Sequence, residues 1–90
     1  MVTAYVLVRA HAQRIKDLGE EIAEIPQVTE VYSVTGPYDF IVVLKLKDIE
    51  ELEDAITKGI LQLEGVERTK TLLAFRHYPK KLLDQGFGID

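Results

Sequence analysis

The turn Gly36-Pro37 divides the chain into two halves, and each half reads strand, helix, strand. That repetition constrains the fold more than any other feature. Val2 to Arg9 is β-branched and apolar and predicts strand one. Ala10 to Ile25 sets Ile15, Leu18, Ile22 and Ile25 at helical spacing with charges between them, and Pro26 stops that helix. Val28 to Thr35 predicts strand two, and Asp39 to Lys47, dense in Ile, Val and Leu, predicts strand three. Asp48 followed by Glu51 is a capping-box pattern. It opens a second helix with Ile49, Leu52, Ile56, Ile60 and Leu63 on one stripe, ending near Gly65. Val66 to Tyr78 predicts strand four, which Pro79 breaks.

The order β-α-β-β-α-β has two crossovers that must be right-handed, which leaves one compact solution. The expected fold is α+β: a four-stranded antiparallel sheet with both helices on one face, the ferredoxin-like sandwich. Residues 1–79 form one domain and residues 80–90 a C-terminal tail of unassigned role. Two helices cover one face of the sheet only. Strand three places Phe40, Val42, Leu44 and Leu46 on one side, and Ile41 and Val43 on the other. Strand one sets Tyr5 and Leu7 against Ala4, Val6 and Val8. A second apolar face marks an interaction surface. A chain of 90 residues buries only about 60–65% of its unfolded surface, so it gains from self-association. A homodimer is expected, the two sheets meeting as an α/β barrel-like pair.

Several chemistries are disfavoured. The net charge is −4, without the basic field of a nucleic-acid binder. There is no cysteine, so thiolate catalysis and thiolate metal sites are ruled out. No apolar run has the length of a membrane span, and no basic leader precedes the first apolar stretch. The cytoplasm is the expected compartment. His11 and His77, the only histidines, fall at strand ends without further ligands of metal-site spacing. The glutamates and aspartates between the helical stripes read as solvated faces. Ser33, the one serine, has no nucleophile elbow around it. Neither glycine-rich phosphate fingerprint is present. The chain is expected to be no enzyme and to need no cofactor; a small dimeric α+β barrel enzyme is the alternative in that class.

The turn itself is the feature with chemistry. Gly36 permits a tight or positive-φ backbone and close approach by a ligand. Tyr38 offers an aromatic wall, and Asp39 offers acceptors. On chemistry alone it reads equally as a rigid connection in which Asp39 caps its own turn. Thr69 and Thr71 lie on one strand face, and β-propensity alone also accounts for them.

Gly36-Pro37-Tyr38-Asp39-Phe40, between Val34-Thr35 and Ile41-Val42-Val43-Leu44, resembles the effector-binding domain of the Lrp/AsnC (feast/famine) regulators. Gly65-Val66-Glu67-Arg68-Thr69-Lys70-Thr71 is similar to that family's entry to its last strand, and Ile25-Pro26-Gln27-Val28 to its step into strand two. The resemblance covers residues 2–78. It implies dimers formed through the sheets, rings of dimers, and an amino acid or similar small effector bound between them. By resemblance the ligand-binding residues are Gly36, Tyr38, Asp39, Thr69 and Thr71. Full regulators carry a helix-turn-helix domain ahead of this region. This chain starts at strand one and so resembles the stand-alone versions. That implies no direct contact with nucleic acid and an indirect effect on transcription, by co-assembly with full-length relatives. A purely structural adaptor for such relatives is the alternative.

Overall fold

The structure, a computed structural model, describes residues 1–81. Four strands form one sheet: β1 (Val2–Ala10), β2 (Val28–Ser33), β3 (Phe40–Leu46) and β4 (Val66–Leu73), in the order β2-β3-β1-β4. Every pairing is antiparallel. Helix α1 (Ile15–Ala23) follows β1 and helix α2 (Ile49–Asp54) follows β3. The expected ferredoxin-like architecture is the one observed.

Alternation along the central strands builds the core. Ala4, Val6 and Val8 of β1 pair with Leu44, Val42 and Phe40 of β3, so these six side chains share the helix-side face. All are buried, and Leu18 and Ile22 of α1, Leu52 of α2 and Ile60 beyond it close over them. Full burial of one such aliphatic side chain stabilises by about 1.5–3 kcal/mol. Gly19 lets α1 settle on this layer: a Cβ there would stand 3.1 Å from the ring of Phe40.

The larger differences from the sequence expectation are four; other ends differ by one or two residues. First, a 3-10 turn, Ala12–Arg14, precedes α1, and the helix itself begins at Ile15. His11 caps the turn, its Nδ1 accepting from the Gln13 N–H at 3.3 Å. Second, the second helix is not continuous. After Asp54 it widens into one π turn, Ala55–Gly59, then tightens into a 3-10 turn, Ile60–Gln62. Ala55 and Ile60 are both buried, and a spacing of five faces the core only through the wider turn. Ile49, expected on the apolar stripe, is 53% exposed. Third, β2 ends at Ser33 rather than Thr35. Fourth, β4 ends at Leu73, not Tyr78. Its partner β1 runs out: Leu73 pairs with Ala4, the Ala74 N–H donates to the Thr3 carbonyl, and β1 starts at Val2. Phe75 and Tyr78 are exposed. Of the tail 80–90, only Lys80 and Lys81 fall among the described residues.

The second face of the sheet is open. Tyr5 and Leu7 of β1 pair with Val43 and Ile41 of β3, and Tyr32 of β2 and Leu72 of β4 extend this patch on either side. Glu30 accepts a 2.7 Å bond from the Tyr32 hydroxyl at the β2 edge. That bond and the carboxylate's charge raise the phenol pKa. Arg9, Arg68 and Lys70 occupy the other side of the same face.

Candidate functional site

The Gly36-Asp39 turn is tied to the end of β1 by backbone and side-chain bonds. The Asp39 N–H donates to the Val8 carbonyl at 2.8 Å, and the Asp39 carbonyl accepts from the Val34 N–H at 2.9 Å. The Asp39 carboxylate accepts from the Ala10 N–H at 2.7 Å. Arg9 Nη1 donates to the Pro37 carbonyl at 3.0 Å. The Gly36-Pro37 peptide is cis. Asp39 thus satisfies a backbone donor that β3 leaves behind where it starts, and the charged acceptor strengthens that bond.

From the other side, the connection into β4 meets the same strand end. The His11 N–H donates to the Gly65 carbonyl at 2.7 Å. Gly65 has φ +98°, and a Cβ on it would lie 2.7 Å from the Cβ of Arg14. Arg14 donates from Nε to the Glu64 carbonyl at 3.1 Å and from Nη2 to both Glu21 oxygens at 2.7 and 2.9 Å. Of the two conformations Gly36 permits, tight or positive-φ, the positive φ is not used: among the described residues Gly65 is the glycine with positive φ, and nothing stands within 4 Å of a Cβ built on Gly36. The tight packing is at the second glycine, while the first faces open space.

Beyond Arg9 the β1–β4 register shifts. Arg9 faces Arg68, but Ala10 faces Val66, leaving Glu67 as the extra residue of a β-bulge. A bulge re-aims a side chain, and here Glu67 borders an open cleft of about 660 Å³ whose lining includes Arg9, His11, Gly36, Pro37 and Asp39. The cleft therefore carries both signs of charge beside apolar Ala12 and Ile15. A zwitterion with a small side chain has the matching chemistry.

The expected residues are only partly brought together. Gly36 and Asp39 line this cleft. Tyr38 is half-buried and does not line it. Thr69 and Thr71 pair with Val8 and Val6, placing them on the helix-side face of β4 and outside the cleft lining. Thr69 is half-buried and Thr71 exposed. Arg9 and Glu67 are cleft residues that sequence reasoning passed over, and His11 is one it weighed only as a metal ligand. Arg9 and His11 carry a signal, as polar residues ending an apolar strand; Glu67 carries none, since its direction follows from the bulge. Among the described residues, no three His, Asp or Glu side chains are grouped to hold a metal ion, and no helix is long and apolar enough to cross a membrane.

A second cleft, about 490 Å³, runs between α1 and β2, bordered by Lys16, Gly19, Glu20, Val31, Ser33 and Phe40. Its helix-side charges, Lys16 and Glu20, are exposed, and Glu30 of β2 on its strand side is engaged by the Tyr32 hydroxyl.

Comparison with known proteins agrees with this architecture. An HTH-type transcriptional regulator of Pyrococcus horikoshii is 39% identical over 89 residues, covering 99% of this chain and 56% of its own length. The chain spans about half the length of the curated relatives it matches. A solved protein of Thermus thermophilus superposes with a TM-score of 0.85 at 65% identity, over 89% of this chain and 100% of its own. A transcriptional regulator of Neisseria meningitidis, solved as a complex with L-Met, has a TM-score of 0.79 at 15% identity, over 88% of this chain and 53% of its own; at that identity the likeness shows the fold alone. The family model described as the Lrp/AsnC ligand binding domain matches residues 3–82, and the chain belongs to that family.

Proposed function

We propose that this domain binds an amino acid or a similarly small effector in the cleft between the Gly36-Asp39 turn and the end of β1, and that binding shifts its assembly. The observation that carries this reading is the meeting of Gly36 and Asp39 with Arg9, His11 and Glu67 around one open cleft. The family's description as a ligand-binding domain supports it. So does the L-Met bound by the Neisseria meningitidis regulator of the same fold. Tyr38, Thr69 and Thr71 enter this reading as residues that a neighbouring subunit brings to the ligand. The open sheet face, with Tyr5, Leu7, Ile41, Val43 and Leu72, is the surface through which a homodimer forms, and dimers assemble further.

In this reading the domain is no enzyme, uses no cofactor and acts in the cytoplasm. It affects transcription through DNA-binding relatives with which it co-assembles. A net charge of −4 disfavours its own attraction to a polyanion. Calorimetric titration with the common amino acids, read alongside thermal stability, tests the proposal. At least one should bind at millimolar concentration or below and raise the melting temperature, since a ligand of the folded state stabilises it by linkage. Asp39→Asn should weaken that binding. If no amino acid binds, the sensor reading fails.

A structural adaptor remains the second reading. It is favoured by one observation: the Asp39 carboxylate already serves the Ala10 N–H, as a purely architectural residue would. Light scattering separates the two, since an adaptor keeps one mass with or without amino acid.

A further inference from the structure

Two arginines stand directly opposite each other on the open sheet face. Arg9 of β1 and Arg68 of β4 are Cα partners in an antiparallel pair, and Lys70 follows on the same face of β4. Directly opposed side chains have Cβ atoms about 4.5–5.5 Å apart, and like charges in that relation are destabilising. Among the described residues neither arginine forms a salt bridge; the ion pairs there are those of Arg14 and Lys58. Arg9 has one hydrogen bond, from Nη1 to the Pro37 carbonyl, which leaves most of its guanidinium donors unused. Uncompensated cations paired across two strands in an otherwise acidic chain call for an anion. The cleft of about 660 Å³ has Arg9 in its wall; Arg68, the strand partner of Arg9, stands just outside that lining, next in sequence to Glu67, which borders it.

Asp39 is poorly placed to recognise a charged ligand by itself. Its carboxylate is engaged by the Ala10 N–H at 2.7 Å, and its backbone holds both neighbouring strands. Glu67, turned out by the bulge, borders the cleft, and among the described residues no donor is bonded to its carboxylate.

We infer that Arg9 and Arg68 form a carboxylate-binding site at the rim of this cleft, that Glu67 takes the ligand's ammonium group, and that Asp39 positions the turn. The inference rests on the amino-acid reading above and names the groups that would recognise the ligand's two charges. A guanidinium pairs with a carboxylate through two parallel N–H donors. Bound between the two arginines, the carboxylate relieves their repulsion, so binding and folding stability rise together.

The test uses the full chain and titrates it with the common amino acids. For whichever binds, the amine lacking its carboxylate is titrated as well. Arg68→Gln has a signature that a merely structural residue lacks. Without ligand its melting temperature should equal or exceed that of the wild type, because a like-charge pair is gone. Its affinity for the amino acid should nevertheless fall about tenfold or more, the scale of a lost charged hydrogen bond. Arg9→Gln should weaken binding similarly, Arg9→Lys less, and Glu67→Gln should weaken it while sparing the fold. The amine lacking the carboxylate should not bind the wild type.

If the wild type binds but both arginine variants bind equally well, this inference is overturned and the functional reading stands. A weaker dimer in Arg68→Gln with unchanged ligand affinity overturns it too, because the carboxylate then belongs to a partner chain. If the wild type binds no amino acid, both readings fall together.

Discussion

At the scale of single residues, the two glycines of the quoted motifs have opposite demands. Gly65 holds φ +98° with Arg14 packed where a Cβ would go, whereas Gly36 has open space around it. Gly65→Ala should therefore destabilise by about 1–3 kcal/mol, combining a left-handed backbone cost with a clash. Gly36→Ala should stay within about 0.5 kcal/mol, as for an open surface position. Urea unfolding of both variants checks the contrast, and equal losses would refute it. The sequence marks both as glycines in turns, but it carries no sign of which one packs. That depends on Arg14, which lies far away along the chain and donates to the Glu64 carbonyl. Asp39 is similar: its identity as a site residue is legible, while its acceptor role toward Ala10 appears only once β1 and β3 are paired.

At the scale of elements, hydrophobic periodicity found every strand and both helices, because each buries one face against the same core. It misplaced ends that are set by partners. β4 stops at Leu73, and β1 has only Thr3 and Val2 left beyond the Leu73 partner Ala4, so it cannot carry the strand to Tyr78, although Phe75 and Tyr78 look like strand residues. The second helix kept its N-terminus where expected, since capping is local chemistry. The Asp48 carboxylate accepts from the Glu51 N–H at 2.9 Å. Glu51 in turn accepts from the Lys47 N–H at 2.8 Å rather than from Asp48's own. Asp48→Ala should cost about 0.5–2 kcal/mol, and Asp48→Asn much less. Thermal unfolding at neutral pH distinguishes them; equal losses would mean that the charge, and not the cap, holds the helix. The π turn was not legible. Through it Ala55 and Ile60 both face the core, and Ile25 packs 3.2 Å from where a Cβ on Gly59 would stand.

At the scale of the whole molecule, the question is what covers the second sheet face. Tyr5, at 39% exposure, and Leu72, at 46%, flank half-buried Leu7 and Ile41 on a surface with no covering layer. The charges around this patch are not uniform. Glu30 stands at the β2 edge, and Lys70 on β4 at the opposite edge. Two copies can stack face to face with a two-fold axis along the strands or across them. The first sets β4 over the partner's β2 and brings opposite charges together; the second sets like strands over like. Complementary potentials favour the first. A charge placed at the centre of the patch should then separate the copies without unfolding either one. Ile41→Asp is predicted to lower the mass seen by light scattering at micromolar concentration, with the far-ultraviolet circular dichroism unchanged. Glu30→Lys should weaken the dimer by repelling the partner's β4, and Glu30→Lys combined with Lys70→Glu should recover part of the loss. If the single and double variants dimerise alike, the strand-parallel axis is wrong. If Ile41→Asp leaves the mass unchanged, the open face is not the interface.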